Sequence, residues 1–303
     1  MPYQTPFVPF HQGKVSAGSS AWAVSLKSYE KCNNCPSGMR YVFAARDLRT
    51  GATSDFQIAS LIDQIDAIYL PPGVDRVAIL GREGSMLSAV FVVGLPGGRT
   101  LDTFSAVWPS ASPDHRFIAY RKWFPAHPPA QVSVSDEYLL YDLTKSPAFN
   151  RPNGAAGLRD DVGWPVYPQG AKNASPLENL VPRGTPAHSM ASNGFFWLGE
   201  ETLAFVDRWH GVDSLVLIGL KGGIHKPTAR SIPLDVSQVI DMSLCRKDVS
   251  PSDMERWTEH PGNLIYVTCI QRPPKVKTHL RLRLAPGPCL RSLVLDLPFM
   301  GDP

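Results

Sequence analysis

The sequence predicts an all-β fold, a closed β-propeller of five four-stranded blades. Three observations predict it. Proline and glycine are abundant, 29 and 24 in 303 residues, which suits many short strands joined by turns. A motif of apolar, alanine, apolar recurs as Trp22-Ala23-Val24, Val77-Ala78-Ile79, Ile118-Ala119-Tyr120 and Leu203-Ala204-Phe205, and a fifth copy, Leu264-Ile265-Tyr266, loses the alanine. Each copy is followed by a second apolar strand closing in a leucine, at Leu48, Leu95, Leu143, Leu220 and Leu297, in steps of 47, 48, 77 and 77 residues. Four strands at a period in the forties is the pattern of a propeller blade. The competing architecture is an irregular β-sandwich; recurrence of residue types as well as spacing favours the propeller.

With strands lettered A to D from the inside of a blade outwards, the alanine motif marks B. Strand C is expected at residues 41–44, 89–93, 138–141, 215–218 and 293–295. Inner A strands are expected at 65–70, 104–108, 194–198 and 239–244, and weakly apolar D strands at 52–59, 99–104 and 228–234. The two long steps follow from insertions, at about 146–193 and 246–262. The whole chain, 1–303, reads as one domain with the Pro/Gly-rich insertion at about 146–193. The last blade lacks an outer strand at the C-terminus, and the apolar residues 5–10 are expected to supply it. Such a strand completes the last blade and removes an open edge.

The turn between A and B is clearest at Ser112-Pro113-Asp114-His115-Arg116-Phe117-Ile118-Ala119-Tyr120. Pro113 presets φ and Asp114 can bond its own backbone just beyond. This stretch resembles the Ser-Pro-Asp-Gly-x-x-Ile-Ala-Tyr/Phe signature of TolB-like β-propeller repeats, with His115 in place of the glycine. Glu200-Glu201-Thr202-Leu203-Ala204-Phe205 is similar to a degenerate copy. The resemblance implies fold and hardly narrows function. It also suits an accessory, adaptor or inhibitor-type protein of a bacterial envelope system, periplasmic if a signal has been removed and cytoplasmic otherwise.

Composition excludes little else. Thirty Lys and Arg against 27 Asp and Glu leave a net charge of +3, too small to point to nucleic acid. No apolar run reaches the roughly 18 residues of a membrane helix, and a monomer is expected. Cys32 and Cys35 form a lone C-x-x-C, whereas a zinc site would want two such pairs. Cys245, Cys269 and Cys289 are scattered, a 245–269 disulfide and inert thiols both being open. No cofactor or metal is called for. Leu180-Val181-Pro182-Arg183-Gly184-Thr185 matches a thrombin recognition sequence by chance and marks an exposed loop.

Two function classes compete. Asp66, Asp102 and Asp241, on or beside expected inner strands, look like the channel acids of five-bladed glycosidases. Their alignment is incomplete, because Asp66 matches Ser105 and Gly194 in other blades. The other class is a non-enzymatic binder. Long B–C loops at 27–39, 121–135 and 271–289 converge with the end of the large insertion on one propeller face, and loops on a rigid scaffold carry binding residues. They bring Trp123, Phe124, Arg208, Trp209, Arg272, Lys275 and Lys277, together with Lys27, Arg121, His279, Arg281 and Arg283. This content suits a protein partner, acidic with an apolar centre. A third option is a structural propeller holding a metal or small ligand. The sequence favours the binder.

Overall fold

The computed structural model describes residues 16–19, 21–31, 39–59, 62, 64–83, 87–123, 134–152, 162–166, 195–209, 212–234, 267–271, 279–284 and 293–298. Among these residues the protein is all-β, and none forms a helix long and apolar enough to cross a membrane. The described residues divide into two compact units, one up to Val166 and one from Phe195 on.

In the first unit, β1 (Ser16–Gly18), β2 (Trp22–Lys31), β3 (Met39–Asp47) and β4 (Thr53–Ala59) form an antiparallel sheet in chain order. A second sheet has seven strands: β5 (Gln64–Tyr69), β6 (Arg76–Glu83), β7 (Leu87–Gly94), β8 (Arg99–Ala111), β9 (Phe117–Trp123), β10 (Val134–Asp142) and β11 (Trp164–Pro165). These are two four-stranded meanders sharing β8, whose first part pairs with β7 and whose end pairs with β9. The sequence predicts two strands here, with a turn from Pro109. The structure instead keeps one strand to Ala111, with a bulge between Val107 and Ser110 where Trp108 takes φ 49°. A bulge bends a strand without ending it and accommodates Pro109. Neither the inner strand β1 nor β11, a two-residue strand inside the large insertion, is among the strands the sequence predicts.

The second unit has one sheet of β12 (Phe196–Trp197), β13 (Thr202–Trp209), β14 (Val212–Gly219) and β15 (Thr228–Pro233), and another of β16 (Val267–Gln271), β17 (His279–Leu284) and β18 (Leu293–Pro298). In the last sheet the strand paired with β16 is β17, and β18 lies one place further out. The expected C strand at 293–295 is therefore displaced outwards, and His279, Arg281 and Arg283 belong to a strand rather than a loop. Residues 5–10 and 239–244 lie outside the described residues.

A repeated backbone bond verifies the repeat. The amide N–H groups of Leu48, Leu95, Leu143 and Leu220 donate to the carbonyls of Ala21, Asp75, Arg116 and Glu201 at 2.8–2.9 Å. Each acceptor immediately precedes a second strand, so the same hairpin is closed in the same way four times. This bond aligns Ala78, Ala119 and Ala204 with Val24, not with Ala23. The first alanine motif is thus one residue out of phase, and a one-residue slip exchanges the two faces of a strand.

Packing explains the apolar run that ends at Leu95. Val77, Ile79, Phe91, Val93 and Leu95 share a core with Trp22, Val24, Phe43 and Phe56 of the first sheet. On the opposite face, Ala78, Leu80, Val90 and Val92 share a core with Ile118, Tyr120, Tyr141 and Leu143 of the next meander. A sheet covered on both faces needs no polar alternation. The inner strands β1 and β5 also approach one another. Three successive meanders stacked face to face exceed the two layers of a β-sandwich.

The closing leucines follow from this stacking. Leu95, Leu143 and Leu220 are buried at 8%, 0% and 1% exposure. Leu48, at 47%, lies on the face of the first sheet turned away from that core.

The Ser112 turn is held as its sequence suggests. Ser112 Oγ donates to Asp114 Oδ1 at 2.6 Å, and Phe117 N–H donates to Ser112 Oγ at 2.9 Å. His115 has φ 63°, a left-handed value at which glycine is the unstrained choice. The imidazole compensates, since His115 Nδ1 accepts the Leu70 N–H at 3.3 Å, with the ring against Tyr69. His115→Ala keeps the strain and loses this bond, so it should cost about 1–2 kcal/mol. His115→Gly relieves the strain and should cost less. Chemical denaturation ranks the two, and the reverse order would refute this account of the turn.

Candidate functional site

Asp66 sits on β5 at a register shift between Ile65 and Ala67. Its two carboxyl oxygens accept from Arg82 Nε and Nη2, each at 3.0 Å, and Gln64 Nε2 adds a third bond at 2.6 Å. This is the bidentate fork that guanidinium groups make with carboxylates. Burial first, and the Asp66 charge second, push the neighbouring Tyr69 hydroxyl up to about 12. That phenol stays neutral across the physiological range.

Asp102 lies in the part of β8 that pairs with β7, opposite Val92. Its side chain is 3% exposed. Oδ1 accepts from Arg151 Nη2 at 2.6 Å and from Thr103 N–H at 2.9 Å, and Oδ2 accepts from the Tyr141 hydroxyl at 3.1 Å. Tyr141 stacks on Phe104 with ring centroids 4.8 Å apart. Burial, then the Asp102 charge, raise the Tyr141 hydroxyl far above the ordinary phenol range, so it keeps its proton in the bond to Asp102 across the physiological range. The network fastens the start of the large insertion. Arg151 belongs to that insertion, Asn150 Nδ2 donates to the Asp142 carbonyl at 3.0 Å, and Tyr120 bonds the Val162 carbonyl.

Asp66 and Asp102 are thus each held by separate partners, and no hydrogen bond or ion pair among the described residues joins them. Asp241 lies outside the described residues. A glycosidase needs one carboxyl group aimed at the leaving oxygen and another at the sugar or a water. Here Arg82 engages both oxygens of Asp66, and Asp102 is enclosed.

The residues expected at the binding face are placed only in part. Trp123 ends β9 opposite Val134. Arg208 and Trp209 end β13 opposite Asp213 and Val212. Each therefore stands at the hairpin end of its own sheet, while these three side chains and all of Phe124, Arg272, Lys275 and Lys277 lie outside the described residues. Cys269 is on β16, and the other four cysteines are also outside them.

Two loop expectations change. Strand β2 continues past a shift between Leu26 and Ser28 to Lys31, so Lys27 is a strand residue, ion-paired with Asp55 at 2.6 Å. Arg121 is buried in β9, its guanidinium 5.5 Å from the Trp108 ring and 5.1 Å from that of Tyr138. Tyr29, 67% exposed at the hairpin end of β2, was overlooked.

No protein-family model matches the sequence, and no curated protein matches it. Among solved structures the chain is similar to Hsv2 of Kluyvelomyces marxianus, at 13% identity and a TM-score of 0.31, over 72% of this chain and 59% of that one. It thus spans less than two thirds of that chain. It is also similar to the uncharacterized protein lmo1340 of Listeria monocytogenes EGD-e, at 10% identity and a TM-score of 0.32, over 92% and 63%. The β-propeller domain of the Trilobed protease from Pyrococcus furiosus matches at 7% identity and a TM-score of 0.27, over 94% and 95%.

Proposed function

We propose that the protein is a β-propeller that works by binding a protein partner at the B–C hairpin ends of its sheets, without catalysis. The observation that carries this reading is the engagement of both described candidate acids by arginines, Asp66 by Arg82 and Asp102 by Arg151. The stacked, doubly buried meanders support the propeller, and its TolB-like character rests on the sequence of Ser112 to Tyr120. A closed ring of five blades in one domain, in a bacterial periplasm, is the finer form of the proposal. In that form residues 5–10 no longer fill an empty outer place, which β18 takes, but pair beyond β18 at the edge of the last sheet. Deleting residues 1–12 should then expose an edge and cause aggregation, and a truncated protein that stays monomeric with unchanged melting would remove this part.

The binding role is tested with a partner isolated on the purified protein. Trp123→Ala or Trp209→Ala should weaken it by ~2 kcal/mol or more while the fold survives. Converting Arg272, Lys275 and Lys277 to Glu should slow association, less so at high salt. Unchanged affinity in all these variants, or turnover of a glycoside by the purified protein, would overturn the proposal.

A further inference from the structure

No further inference is drawn: the strongest candidate, the half-exposed face of the first sheet that carries Ala23, Val42, Ala44 and Leu48, has nothing in the structure to show what covers it.

Discussion

Leu143→Ala should cost about 2–5 kcal/mol in chemical denaturation, the range for emptying a fully buried leucine site, whereas Leu48→Ala should cost under ~1 kcal/mol. The two residues occupy the same place in the repeat, each donating its N–H to the carbonyl that precedes a second strand. Only their surroundings differ. Leu143 lies between two meanders, in the core of Phe104, Ile118, Tyr120 and Leu139. The face that carries Leu48 bears Ala23, Ser25 and the exposed Lys27–Asp55 pair. Neither substitution touches the backbone bond, so the difference between them reports side-chain packing alone. Equal losses would mean that face-to-face stacking does not distinguish the repeats.

Arg151→Ala should destabilise the protein by about 3 kcal/mol, because it strands a buried carboxylate that keeps only the Thr103 N–H and the Tyr141 hydroxyl. Removing the charge as well should return part of the loss. In a double-mutant cycle, Asp102→Asn with Arg151→Ala should cost clearly less than the sum of the two singles. Additive losses would show that the pair is not coupled. A stable Asp102→Asn protein that had lost an enzymatic activity would move Asp102 from structure to chemistry.

The repeat was legible because leucine and alanine recur at positions the fold uses alike. The closing leucines at 48, 95, 143 and 220 were read at their right places, and all make the same backbone bond. The alanine motif misled in the first repeat, where Ala23 sits beside the position that Ala78, Ala119 and Ala204 fill. Nothing in Trp-Ala-Val shows which of its residues faces the next sheet, and only the pairing of Trp22 with Asp47 fixes the phase. His-Leu-Arg-Leu-Arg-Leu at β17 alternates as a strand should. Its charges and the prolines before it read as loop, which shifts the expected strands of the last sheet by one place. Trp108 and Pro109 look like a stop, yet a positive φ at a bulge carries the strand through.

The site was less legible than the fold. Asp66 and Asp102 were recognised as unusual acids, but the sequence cannot say that Arg82 lies 3.0 Å from one and Arg151 2.6 Å from the other. Those partners stand 16 and 49 positions away. Arg-Lys-Trp resembles an exposed hairpin end, which makes Arg121 look like a surface charge. Its register opposite Tyr138 places it under an aromatic ring instead.

Hydrogen exchange of the protein with and without its partner tests the binding account most directly. Amides at the B–C hairpin ends should become protected: those of residues 28–31 and 39–41, and those of Trp123, Val134, Trp209 and Val212. The short turns at the opposite ends of the same strands, at 48–52, 71–75, 95–98, 112–116 and 221–227, should exchange as before. Protection confined to those turns, with the hairpin ends unchanged, would contradict the proposed binding end.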